Sequence, residues 1–162
     1  MQPSVETGWQ EALALVARQL ANLDEPWCLG ASGALALHGL PLTPRDVDLF
    51  TTPDGVDQIA AALAAYVTEP PRWWDSKLGR SRFAALEVCG VTVEVIGDLR
   101  LRLPSGRLAT EPRALDCDWI PLPGTHLQVP VSPLSLLLDS YRQTQRPARV
   151  AQIEAFLAEE AR

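Results

Sequence analysis

Two aspartates one residue apart, Asp46 and Asp48 in Arg45-Asp46-Val47-Asp48-Leu49-Phe50, are the side chains best placed by type and spacing to do chemistry. In a strand, residues two apart point to the same face, so the two carboxylates lie side by side. Such charges repel unless a cation sits between them. Upstream, apolar Trp27-Cys28-Leu29 runs into the turn Gly30-Ala31-Ser32-Gly33. Ala34 to His38 suit a short helix, which Gly39, Pro41 and Pro44 end. A glycine-serine turn at a helix N-terminus offers free backbone N–H groups and the positive end of the helix dipole, a place for phosphate. Gly30, Ser32 and Gly33 are the candidate phosphate contacts. A phosphate cradle beside a carboxylate pair points to metal-dependent phosphoryl or nucleotidyl transfer.

Each signal has a plainer explanation. Asp-x-Asp is a common string, and Asp116-Cys117-Asp118 repeats the spacing among prolines with no glycine turn before it, which reads as surface. Ser32 could cap the short helix, and Gly30 could serve only for backbone freedom. The setting of the first pair is what favours it: glycine-serine turn, short helix, proline turn, acidic strand.

The flanking elements must hold this stretch. Residues 7–23 read as a helix, with Thr7 and Gln10 at capping-box spacing and Trp9, Leu13, Val16 and Leu20 as its buried stripe. Thr52-Pro53 starts a second, with Val56, Ile59, Ala60 and Leu63 inward. Residues 68–80 read as irregular and polar-aromatic. Ser81–Val88 and Val91–Ile96 form a hairpin around Cys89-Gly90. In its second strand Val91, Val93 and Val95 share one face and Thr92, Glu94 and Ile96 the other, and an acid among valines asks for a reason. A short hairpin of Leu99–Leu103 and Arg107–Thr110 around Pro104-Ser105-Gly106, and proline-broken strands or loop over 111–131, follow. Two last helices carry Leu134, Leu137, Leu138 and Tyr141, then Val150, Ile153 and Leu157. The expected fold is α/β (α+β), a short mixed sheet with helices packed on it. Residues 1–131 form the main domain, with 132–162 a helical extension packed on it.

The 162 residues suffice for one domain or a domain with a small appendage, and 47% hydrophobic content supports a core. A net charge of −6 argues against a general nucleic-acid binder. No run of about 18 apolar residues is present, and the N-terminus shows no basic-then-apolar leader. Cys28, Cys89 and Cys117 are odd in number and far apart, which fits reduced, buried thiols in a cytoplasm.

Gly30-Ala31-Ser32, thirteen intervening residues (33–45), then Asp46-Val47-Asp48 resembles the signature of the polymerase-β-like nucleotidyltransferase superfamily. That group includes antibiotic nucleotidyltransferases, minimal nucleotidyltransferases and nucleotidyltransferase toxins of bacteria. The resemblance spans roughly 27–98 and extends weakly into the C-terminal helices. It implies two Mg²⁺ ions (or Mn²⁺) held by Asp46, Asp48 and a third carboxylate on a neighbouring strand. Glu94 matches that position best, with Glu87 and Asp98 as alternatives. The chain departs from the family pattern at Ala31, where glycine is common, at Glu94, commonly Asp, and at Ala148-Arg149, where relatives carry Lys-Asp.

The expected reaction moves a nucleoside monophosphate from an NTP such as ATP to a hydroxyl acceptor. That acceptor is a small molecule, a protein or a tRNA end. Lys77 and Arg80 are the candidate cationic contacts to the nucleotide, and Trp73-Trp74 could stack on a base. His38 reads as structural, and His126 has no visible partner. A homodimer or a partner protein could complete the cleft. The competing reading is a catalytically silent nucleotide-binding or protein-interaction module, such as a toxin–antitoxin component.

Overall fold

The computed structural model describes residues 5–109 and 115–162. Helix α1 (Val5–Gln19) is followed by strand β1 (Trp27–Gly30), helix α2 (Ala31–His38), strand β2 (Val47–Thr51) and helix α3 (Pro53–Ala62). Strands β3 (Val67–Asp75), β4 (Gly79–Val88) and β5 (Val91–Leu101) come next. Then β6 (Asp118–Pro121) and β7 (Gln128–Val131) lead to helices α4 (Leu134–Gln143) and α5 (Pro147–Glu160). One mixed seven-stranded sheet runs in the order β3-β4-β5-β2-β1-β7-β6. The β1–β2 pair is antiparallel, whereas β2–β5 and β1–β7 are parallel. This is the α+β fold with a mixed sheet that the sequence indicates.

The two faces of the sheet differ. Val47, Leu49, Val93 and Val95 are fully buried on the side where α1 and α3 pack. Their alternates, Asp48, Phe50, Glu94 and Ile96, are half-buried on the other. Trp9, Leu13, Val16 and Leu20 of α1 and Val56, Ile59 and Leu63 at α3 are all buried, as their helical spacing requires. Leu137, Tyr141 and Ile153 join the same core, so α4 and α5 pack on the sheet domain. Leu157, expected inside, is 40% exposed, and Phe156 packs against the core in its place.

Two local expectations need correction. Residues 68–75 are the greater part of β3, a strand at the sheet edge. Pro70 and Pro71 are tolerated there because an edge strand has an unpaired side that needs no N–H donor. Helix α1 begins at Val5, before Thr7, whose side chain lies outside the described residues. Residues 99–101 continue β5, and the short hairpin beyond them is present: Arg102 bridges Leu108, the Leu103 N–H donates to the Arg107 carbonyl oxygen and the Ala109 N–H to that of Leu101, with Thr110 outside the described residues. The β4–β5 turn is as expected. Cys89 and Gly90 have φ of 52° and 76°, the two left-handed positions of a tight hairpin turn.

Helix α3 sits close enough to β2 that Gly55 has no room for a side chain. Thr52 caps the helix, its hydroxyl accepting from the Gly55 N–H at 2.9 Å. A Cβ on Gly55 would run into Oγ1 of buried Thr51, which donates to the Pro26 carbonyl oxygen at 2.7 Å. Helix propensity alone favours alanine. The clash decides: Gly55→Ala is expected to lower stability by about 2 kcal/mol, read as a lower urea midpoint.

Candidate active site

The parallel β2–β5 register sets Asp48 directly opposite Glu94, and the antiparallel β1–β2 register sets Gly30 opposite Asp48. The end of β1, the first carboxylate and the second thus stand in a row across three adjacent strands. Asp46 precedes the row, on a bend before β2 begins, and is exposed. The two aspartates are therefore not both strand residues, as the sequence pattern suggests, yet Asp46 still acts on Asp48. Burial pushes the Asp48 carboxyl up to about 7, with the charge and hydrogen bond of Glu94 and the charge of Asp46 adding to it. None of the three carboxylates has an ion-pair partner among the described residues. Nor does any group of three or more His, Cys, Asp or Glu side chains converge on one metal position among them.

Of the alternatives to Glu94, Glu87 pairs with Thr92 near the far end of β4 and is exposed. Asp98 lies four residues beyond Glu94, bonded to Arg100. Only Glu94 is in register with Asp48.

Helix α2 points its N-terminus at this row. Its N-cap is Gly30, without a side-chain cap. Ser32 is therefore not the cap, and its half-buried hydroxyl makes no hydrogen bond among the described residues. Gly30 has ordinary extended backbone (φ −122°), so conformational freedom is not its reason. A Cβ there would meet the Phe50 ring. On Gly33 a Cβ would stand 3.0 Å from Leu29 Cδ1. The left-handed residue is Ala31, with φ of 50°. An L side chain there costs about 1–2 kcal/mol.

Lys77 and Arg80 stand at the tip of the β3–β4 hairpin, both exposed, with Arg80 over the Trp73 ring. Arg80 is five residues along β4 from Ala85, the partner of Glu94, or roughly 17 Å. Trp73 and Trp74 are both largely exposed, although Trp74 meets Phe83 edge-on at 4.7 Å. Two other cations, at the α4–α5 junction, share a neighbour with Asp48. The charges of Arg149, Arg146 and Asp48 all reach Tyr141, whose phenol is pushed up mainly by burial. Arg146 also lies over the Tyr141 ring at 5.2 Å. The basic Arg149 was visible in the sequence, but nothing local to Tyr141 or Arg146 signalled their approach to Asp48.

The remaining residues are structural or peripheral. His38 Nε2 donates to the Ser132 carbonyl oxygen at 2.8 Å, tying α2 to the lead-in of α4. His126 is exposed. All three thiols are free, but only Cys28 is buried, and Cys89 is exposed in its turn. Asp116 and Asp118 are exposed beside β6, at the far edge of the sheet.

No family model and no curated protein matches the sequence. Among solved structures, the fold matches a candidate nucleotidyltransferase from Thermotoga maritima. Identity is 26%, coverage is 91% of each chain and the TM-score is 0.75. It also matches the antibiotic-resistance factor ANT(2'')-Ia at 14% identity, over 96% of this chain and 95% of that one, with a TM-score of 0.50, a likeness of fold alone. The neighbours are nucleotidyltransferases, in line with the resemblance carried by Gly30 to Asp48. Among the described residues no helix is long and apolar enough to cross a membrane.

Two outcomes are expected of this geometry. Because the folded-state pKa of Asp48 is raised, stability is full below the unfolded value near 4 and declines as pH rises toward 7. Asp48→Asn removes that loss. In EDTA it should exceed the wild type at pH 8 by on the order of 2–4 kcal/mol and match it near pH 4, in denaturant titrations. Ala31→Gly, which at an ordinary helical position would cost about 0.5–1 kcal/mol, should here be neutral or stabilising, because it relieves the left-handed φ.

Proposed function

From a fold shared with nucleotidyltransferases, we propose that this chain transfers a nucleoside monophosphate from an NTP to a hydroxyl acceptor, with release of pyrophosphate. The observation that carries the reading is the Asp48–Glu94 pair, in register, without a counter-cation among the described residues, and facing the N-terminus of α2. Buried carboxylates repel one another until a cation joins them, and the nearby helix end attracts phosphate. The donor set is all carboxylate oxygen, which suits Mg²⁺ or Mn²⁺. Asp46, on an exposed bend, is free to turn toward the other two.

In this reading Asp46, Asp48 and Glu94 would hold two divalent cations. These would lower the pKa of the acceptor hydroxyl and neutralise charge on the triphosphate. The amides of residues 30–33 and the unpaired Ser32 hydroxyl bind the β and γ phosphates. Arg146 and Arg149, whose charges reach Tyr141 as that of Asp48 does, are candidate cationic contacts to the nucleotide, with Lys77 and Arg80 out along the hairpin. The acceptor oxygen forms a bond to the α-phosphorus as the bond to the β-phosphate oxygen breaks. The hydroxyl proton is lost to water and pyrophosphate departs. No protein nucleophile takes part, so the rate comes from positioning and charge. The acceptor hydroxyl belongs to a small molecule, a protein or a tRNA end, and ATP is one candidate donor.

The test is pyrophosphate release and label transfer from each α-labelled NTP, with Mg²⁺ or Mn²⁺, using a pool of hydroxyl compounds as acceptors. Asp48→Asn and Glu94→Gln should each lower the rate at least about 100-fold while far-UV circular dichroism is unchanged. Asp118→Asn, a carboxylate outside the site, should have no effect. Full activity in either site variant would overturn the assignment. No release from any NTP would instead favour the silent module.

A further inference from the structure

The sheet face that carries Asp48 and Glu94 continues into a cavity of about 810 Å³, within the range of about 300–1,000 Å³ typical of small-molecule sites. It opens beside Ala31, in the turn before the carboxylates, and runs past Phe50 and Ile96 to Asp98. From Glu94 to Asp98 is four strand residues, roughly 13 Å. The walls are mostly apolar, with Phe50, Ile96, Leu99 and Leu137 on facing sides.

The charged groups are few and mostly acidic, beside neutral hydroxyl and amide side chains at Thr51, Thr52, Ser132 and along α4. Asp98 and Asp116 line the cavity against one guanidinium, Arg146, which already lies over Tyr141. Asp98 is the unusual one. Its Oδ2 accepts from Arg100 Nε at 3.3 Å. Its Oδ1 is buried with no hydrogen-bond partner among the described residues. Its backbone is held at φ 52°, in the left-handed region. A buried carboxylate oxygen without a donor is rare and calls for one. A ligand ammonium supplies it with the matching charge.

We propose that this cavity is the acceptor site, and that the acceptor is a small amino alcohol with a largely apolar body. Its ammonium group sits on Asp98, its body lies between Phe50, Ile96 and Leu137, and its hydroxyl points back toward Ala31 and the carboxylates. Only the word acceptor rests on the nucleotidyl-transfer reading, because the binding itself requires neither nucleotide nor metal.

The test is calorimetric titration of the nucleotide-free, metal-free protein with 2-amino-3-phenylpropan-1-ol and with its amine-free analogue, 3-phenylpropan-1-ol. The amino alcohol should bind saturably and at least about ten-fold more tightly than the alcohol. Asp98→Asn should erase that preference. Ser140→Trp, which fills the cavity from α4, should weaken both probes by about ten-fold or more. No saturable binding of the amino alcohol up to about 10 mM, equal binding of the two probes, or a preference that survives Asp98→Asn would each overturn the proposal. If Asp98→Asn does not fold, the two-probe comparison and Ser140→Trp still decide. Failure here with pyrophosphate release intact would remove the acceptor assignment alone. Binding as expected without any transfer would remove the catalytic reading alone.

Discussion

The structure depends on a repulsion that is built in and that no ion pair among the described residues relieves. Asp48 and Glu94 face each other on neighbouring strands, and burial makes their mutual charge expensive. The sheet cannot slip to separate them. Val47 and Leu49 on one side of Asp48, and Val93 and Val95 around Glu94, are fully buried beneath α1 and α3. A shift of one residue would turn those apolar side chains out and the carboxylates in. The core therefore pins the carboxylates together. The chain has five ion pairs among its described residues, and each spends its cation elsewhere. Such an arrangement weakens the protein wherever both carboxylates are charged.

The neighbouring turn shows the same pattern of local cost at the site. Alanine occupies the left-handed position at the start of α2, where glycine would be relaxed. Glycine is used instead at position 30, because the Phe50 ring occupies the space a side chain would need. Strain of this sort persists only where the surroundings over-determine it. Here those surroundings are the β1–β2 pairing on one side and the buried Gly33-Ala34-Leu35 of α2 on the other.

What could be read in advance follows from how local each signal is. The strand–turn–helix–strand over 27–51 was legible because its glycines, prolines and alternation all act within a few residues. So were α3, with its Thr52 cap, and the Cys89-Gly90 turn. Strand β3 was not, because Pro70 and Pro71 suppress the pattern, and its edge position together with the register shift between Glu69 and Arg72 makes them tolerable. Glu94 could be flagged as an acid among valines, but its register with Asp48 is a tertiary fact. Tyr141 and Arg146 carried no local signal, since their relation to Asp48 arises from how α4 and α5 return to the sheet. The cationic Lys77 and Arg80 were near the site in sequence, and a long hairpin carries them away from it.

Asp48 and Glu94 are 46 residues apart in the chain (94 − 48), and the strands that carry them are parallel. Parallel neighbours cannot form by a simple hairpin. The chain must first run through α3, β3 and β4 before β5 can return to lie beside β2. Such high contact order makes this pairing a slow, global event in folding. A chain still emerging from the ribosome would hold the glycine turn and the aspartate pair long before it held the opposing glutamate. The carboxylate pair is thus assembled only when the central sheet closes, so a truncated or half-folded molecule holds the two acids apart and escapes their repulsion.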